Sequence, residues 1–154
     1  MISEVAACCK ELRLSHNIVD MAEQIEAETH GEFLVQLLRS ELKHREKNRI
    51  DKLLKKAGFY SLKDFDGFKF DEVTLPSSIT PEYLKSCEFL ETKSNIVMYG
   101  NVGTGKTYLS IALGMEACKK GIETRFFRTA ALVNRLSEEK KKGTLSKFMK
   151  QILK

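Results

Sequence analysis

A chain of 154 residues has room for one domain plus an appendage, and 42% hydrophobic with 31% charged residues is the ordinary composition of a soluble globular protein. No apolar run approaches membrane-spanning length, and the short N-terminal apolar patch, bracketed by Glu4 and Lys10, is no signal peptide, so no membrane role is expected. The formal net charge of +5 allows a nucleic-acid partner without requiring one. Cys8, Cys9, Cys87 and Cys118 form no C-x-x-C and share no ligand spacing with His16, His30 and His44. That reads as no zinc site, no disulfide framework and a reducing cytoplasm.

Residues 1–57 read as a small all-helical domain. Ser3 is placed to cap a first helix, with Val5, Cys8, Cys9 and Leu12 on one stripe. A second helical stretch carries Ile18, Val19, Ala22 and Ile25 opposite the acidic Asp20, Glu23, Glu26 and Glu28, and His30-Gly31 breaks it. A third begins near Glu32, with Phe33, Leu34, Leu37, Leu38 and Leu42 at helical spacing. The pattern resumes at Ile50, Leu53, Leu54 and Ala57, and Gly58 is its stop. Arg39, Lys43, Arg45, Lys47, Arg49, Lys52, Lys55 and Lys56 make the last part basic. A helix of this kind can touch nucleic-acid phosphates, but Glu41, Glu46 and Asp51 are interspersed, and a solvated mixed-charge face is the plainer account.

Residues 58–94 form an aromatic linker, with Phe59, Tyr60, Phe65, Phe68 and Phe70 around Asp64-Phe65-Asp66-Gly67-Phe68. Packing beneath the linker accounts for them; the sharper alternative sets Phe65 or Phe68 against the adenine of a bound nucleotide. Thr80-Pro81-Glu82 reads as a capped helix start with proline in the first turn.

The most informative stretch follows. Ile96 to Tyr99 is an apolar run of strand length that enters a loop with three glycines, and the loop ends in Lys106-Thr107 and a helical pattern. That is G-x-x-x-x-G-K-[ST] in strand–loop–helix context, the phosphate-binding P-loop. Glycines let the backbone turn about a phosphate with no Cβ in the way, and the N–H groups at the helix start favour an anion. An ordinary glycine-rich turn is the competing account. The expected nucleotide-binding residues are Gly100, Asn101, Val102, Gly103, Thr104, Gly105, Lys106, Thr107 and Tyr108. Lys106 is expected to reach the β- and γ-phosphates, and the Thr107 hydroxyl to ligate Mg2+.

Beyond it, Leu109, Ala112, Leu113 and Ala117 mark one face of a helix that Gly121 ends. Glu123 to Arg128 reads as the next strand, making a βαβ unit with parallel strands. Thr129 caps a helix with Leu132, Val133 and Leu136. Gly143-Thr144 restarts a last one, with Leu145, Phe148, Met149, Ile152 and Leu153 opposite Lys147, Lys150 and Lys154. The expected fold is therefore α/β: a P-loop NTPase core over 95–154, preceded by the linker (58–94) and the helical domain (1–57).

Hydrolysis by such a core needs an acidic residue after a second core strand, and none follows Thr107; Glu138-Glu139 lie in a charged helical stretch. No arginine finger can be assigned among Arg125, Arg128 and Arg135. The expectation is a core truncated after its second strand, with incomplete hydrolysis, and a non-catalytic nucleotide- or DNA-binding remnant is an open alternative. A small-molecule P-loop kinase is disfavoured, because such kinases usually begin near their P-loop.

Phe33-Leu-Val-Gln-Leu-Leu38, Glu41, Arg45, Ala57-Gly-Phe59, Phe65-Asp66, the P-loop from Asn95 to Thr107, Arg125-Phe-Phe-Arg-Thr129 and Leu132-Val133 follow one order. In that order the chain resembles the IstB-like ATP-binding proteins, helper ATPases of insertion-sequence transposition. These are similar to the helicase loader DnaC, and both are AAA+ ATPases. The resemblance implies ATP with Mg2+ as ligand, action on DNA, a transposase or replicative helicase as partner, binding of that partner or DNA by the helical domain 1–57, and ATP-dependent homo-oligomers of the full-length family. Family members often carry proline where Asn101-Val102 stand and histidine where Tyr108 stands; neither side chain is needed for the phosphate. In the family's sheet the strands of Ile96–Tyr99 and Arg125–Phe127 are separated by later strands, so here they are expected either to close a sheet poorly or to pair directly.

Overall fold

A computed structural model describes residues 2–15 and 17–152, without the side chains of residues 2 and 3. It divides into two compact units, Met1–Lys52 and Leu53–Lys154. No helix among the described residues is long and apolar enough to cross a membrane.

The first unit contains α1 (Ile2–Glu11), α2 (Ile18–Glu23) and most of α3 (His30–Ala57). Ser3 lies inside α1 rather than at its cap, with its side chain outside the described residues. Helix α1 ends with Arg13 in the left-handed region at φ +54, where Arg13 N–H bonds Lys10 O and Leu14 N–H bonds Cys9 O, closing the carbonyls of the last turn. His30-Gly31 starts a helix instead of breaking one. Thr29 Oγ1 accepts from Glu32 N–H at 3.1 Å and Glu32 Oε2 accepts from Glu28 N–H at 3.3 Å, a variant of the capping box. From there α3 runs 28 residues without interruption to Ala57, and Gly58 follows at φ +78.

Glu41 is the buried charge of this unit, 3% exposed. Its Oε1 accepts from Ser15 N–H at 2.9 Å and from Arg45 Nε at 2.6 Å, while Arg45 Nη2 donates to Arg13 O. The turn after α1 is thereby fastened to α3 by one carboxylate.

The second unit carries the end of α3, a short 3-10 turn (Phe70–Glu72), α4 (Pro81–Lys85), α5 (Glu88–Glu91), α6 (Lys106–Lys119), α7 (Thr129–Lys141) and α8 (Leu145–Ile152). Helix α6 is its centre. Leu109, Leu113 and Ala117 share a cluster with Leu84, Cys87 and Phe89, and burial extends round the helix to Ile111, Ala112, Met115 and Cys118. A helix apolar on nearly all sides belongs inside a domain, and each large side chain buried this way is worth about 1.5–3 kcal/mol. Thr80 caps α4 through Tyr83 N–H at 3.1 Å, with Pro81 in the first turn. Thr129 is the first residue of α7, one position inside the expected cap.

The α/β expectation is overturned: among the described residues there is no strand and no sheet. Ile96–Tyr99 keeps the two-residue alternation of an extended chain, with Ile96 and Met98 packed on the core and Val97 and Tyr99 exposed, but no neighbouring strand pairs with it. Glu123–Arg128 lies instead along the end of α3, with Phe126 N–H on Ala57 O at 2.8 Å and Arg125 Nη1 on Lys56 O at 2.9 Å. The two segments do not pair with each other. A strand exists only through a ladder, and an extended segment without a partner is left irregular.

Candidate phosphate-loop site

The loop begins where Asn95–Tyr99 leaves the core and ends where α6 starts. Gly100, Gly103 and Gly105 have φ of +140°, +87° and +79°. At Gly103 an added Cβ would meet nothing within 4 Å, so only the backbone angle demands glycine. At Gly105 both angle and space demand it, since a Cβ would stand 3.1 Å from Phe68 Cε2. Gly105 also occupies the N-cap of α6. The first helical bond runs from Leu109 N–H to Gly105 O at 2.9 Å, so the N–H groups of Lys106, Thr107 and Tyr108 precede the helical ladder, as the first donors of any helix do. These donors and the dipole of a 14-residue helix favour an anion at the loop.

Lys106 folds back across the loop. Its Nζ donates to Gly100 O at 2.9 Å, Asn101 O at 2.6 Å and Thr104 Oγ1 at 3.2 Å, and Thr104 Oγ1 donates to Asn101 O at 2.9 Å. The ammonium thus uses its three protons to hold the loop around itself. All four groups are solvent-accessible, so an oxyanion can exchange for one of these acceptors without unfolding anything. Asn101, Val102, Gly103, Thr104 and Thr107 are exposed, Val102 fully.

Tyr108 packs against the linker turn. Its half-buried ring lies 5.6 Å from that of Phe68, and Lys63 Nζ sits 5.0 Å over it. The turn below is set by Asp64, whose Oδ1 accepts from Gly67 N–H at 3.3 Å, and by Phe68 N–H bonding Phe65 O at 3.1 Å. A Cβ at Gly67 would stand 2.4 Å from the Tyr108 hydroxyl, so the turn presses directly on the first turn of α6. Phe65, Phe68 and Phe70 all pack against the core, the plainer of the two accounts of the linker aromatics, and Phe68 additionally braces the loop. The spacing of Phe68 and Tyr108, forty residues apart, carries no signal of that contact.

The three arginines are committed to neighbours. Arg125 bonds Lys56 O and Glu123, Arg128 lies 4.1 Å over the Tyr60 ring, and Arg135 lies 4.6 Å over Phe148. Lys56 joins Glu123 at 2.6 Å, and this hydrogen bond holds the Glu123 carboxyl below its usual value. Burial pushes the Cys87 thiol up, away from the reactive thiolate.

Residues 7–154 match the IstB-like ATP binding protein family. The chain is 32% identical to the protein of Geobacillus stearothermophilus named as the ATP-binding protein of insertion sequence IS5376, over 82% of this chain and 50% of that one. It is 34% identical to its counterpart from IS232 of Bacillus thuringiensis subsp. berliner, over 80% and 49%. It is 28% identical to that of IS21 from Pseudomonas aeruginosa, over 90% and 53%. The chain spans about half the length of these curated relatives. With a match over nearly its whole length, the chain belongs to the IstB-like ATP-binding proteins.

Proposed function

We propose that this chain binds ATP with Mg2+ through Gly100–Thr107 and serves as a nucleotide-dependent helper in DNA transposition, acting on DNA beside a transposase. The observation that carries the reading is the loop itself: three glycines in conformations other residues resist, a lysine ammonium drawn over the Gly100 and Asn101 carbonyls, and a helix N-terminus behind them, in a member of a family named for ATP binding. The residues present fit a triphosphate. Gly105 holds the left-handed backbone that turns the loop into α6, the N–H groups that open α6 supply donors, and Lys106 supplies the positive charge. Thr107, exposed beside them, is the hydroxyl suited to Mg2+. The bound metal would neutralise phosphate charge.

The reading is one of binding. Calorimetric titration of the chain with ATP, with and without magnesium, tests it: saturable binding that weakens without the metal supports it, and no heat at saturating nucleotide refutes it. Turnover of ATP in the presence and absence of DNA then separates a hydrolysing helper from a binding module.

A further inference from the structure

Two donors of the glycine loop meet at the carbonyl of Asn101. Thr104 Oγ1 donates to it at 2.9 Å and Lys106 Nζ at 2.6 Å, and Lys106 Nζ also donates to Thr104 Oγ1 at 3.2 Å. An ammonium can only donate, so the hydroxyl must accept from it, and the hydroxyl's one proton is left for Asn101 O. The direction of all three bonds is thereby fixed. Accepting from a cation polarises the hydroxyl and strengthens the bond that it donates. The chain turns between these groups at Gly103, where φ is +87°, and a Cβ added at Gly100 would stand 3.4 Å from Thr104 Oγ1.

The three acceptors of Lys106 are not equal. Asn101 O at 2.6 Å and Gly100 O at 2.9 Å are carbonyls, whereas Thr104 Oγ1 at 3.2 Å is a hydroxyl and the farthest of the three. A charged phosphate oxygen is a stronger acceptor than a neutral hydroxyl and takes over the weakest of these bonds. In that exchange the hydroxyl keeps its own bond to Asn101 O, so the turn from Asn101 to Thr104 stays closed while the ammonium swings. All of these groups lie at exposed positions. Each bond is weak in water, and their joint effect is to hold the lysine in one place before an anion arrives, which lowers the ordering cost of binding.

We propose that the Thr104 hydroxyl is a positioning group for Lys106, an inference that rests on the nucleotide-binding reading above. Bonded to Asn101 O, it keeps the turn closed and the Asn101 carbonyl aimed at the ammonium, and the phosphate takes from Lys106 the proton that Thr104 Oγ1 otherwise accepts. The Thr104 side chain acts through Lys106 and is not itself a phosphate ligand.

The test compares Thr104→Val, which keeps the branched shape but can neither donate nor accept, with Thr104→Ser, which keeps the hydroxyl. In the 154-residue chain Thr104→Val is expected to bind ATP and pyrophosphate about tenfold more weakly, by the same factor for both, and Thr104→Ser to restore the affinity. In a Lys106→Ala background the Thr104→Val change is expected to shift affinity by less than about twofold, because the group it acts through is gone. A second measurement needs no nucleotide: the 15N signal of the Lys106 ammonium, assigned by its loss in Lys106→Ala. Slow proton exchange is expected in wild type and Thr104→Ser, and exchange as fast as that of other exposed lysines in Thr104→Val. Wild-type affinity in Thr104→Val, no recovery in Thr104→Ser, or a full loss persisting in the Lys106→Ala background overturns the proposal. If wild type binds neither ATP nor pyrophosphate, the nucleotide reading fails, and the ammonium signal alone decides: one unchanged in Thr104→Val overturns the positioning role as well.

Discussion

The ring of Phe68 lies against Gly105, so that a methyl group on this glycine would stand 3.1 Å from Phe68 Cε2 while the backbone holds φ at +79°. The linker aromatics thus support the glycine loop as well as filling the core. Gly105→Ala is expected to cost about 1–2 kcal/mol for the left-handed backbone alone, with a further cost for moving the ring. ATP affinity should fall about tenfold or more, since 1.4 kcal/mol is about a factor of ten. Adding Phe68→Ala should return only the steric part. Titration calorimetry on the single and double variants checks this, and equal affinities for wild type and Gly105→Ala would contradict it.

Lys106→Ala should leave the helices intact while removing the charge that the loop wraps. A hydrogen bond to a charged group is worth about 1.5–3 kcal/mol, so ATP should bind at least about tenfold more weakly. Fluorescent-nucleotide titration measures the affinity, and circular dichroism shows that the fold survives.

At Gly114 in the middle of α6, a Cβ would lie 2.8 Å from Phe59 Cζ and 3.3 Å from Thr124 Cγ2. Helix propensity favours alanine by about 1 kcal/mol, but overpacking a filled core costs about 1–3 kcal/mol. Gly114→Ala should therefore lower the melting temperature, and Phe59→Leu on the same background should recover part of the loss. A rise in melting temperature would mean that Phe59 gives way freely.

Burial pushes the Glu41 carboxyl upward, but the hydrogen bonds from Ser15 and Arg45, with the Arg45 charge, outweigh it and hold the group below the ordinary glutamate value of 4.5. A carboxyl held low stabilises the fold when ionised. Its contribution is complete well above pH 4.5 and is lost as the pH falls through the lower folded value. Helicity followed during acid titration should show this loss in wild type and a flatter course in Glu41→Gln. At neutral pH, Glu41→Ala should lose about 1–3 kcal/mol, because Ser15 N–H and Arg45 are left without their acceptor. Identical acid profiles for wild type and Glu41→Gln would remove Glu41 as the origin.

What the amino-acid order determined by itself is whatever a few adjacent residues settle. The left-handed turns of the loop before α6 follow from the spacing of Gly100, Gly103 and Gly105. The start of α4 follows from Thr80-Pro81, and the helix ends from Gly58 and Gly121, because caps and left-handed turns satisfy their hydrogen bonds within a handful of residues. The start of α3 was also legible, in Thr29 and Glu32, but the glycine at position 31 suggested a break. Tertiary structure alone decided the rest. Whether Ile96–Tyr99 and Glu123–Arg128 are strands depends on neighbours that their own residues cannot supply, and the second segment found the end of α3 instead. That Glu41 is a buried clip, and that Phe68 braces Gly105, are matters of which distant surfaces meet. A helix carries its hydrogen bonds within itself, whereas a strand, a buried charge and a ring contact each depend on a partner far away in the chain.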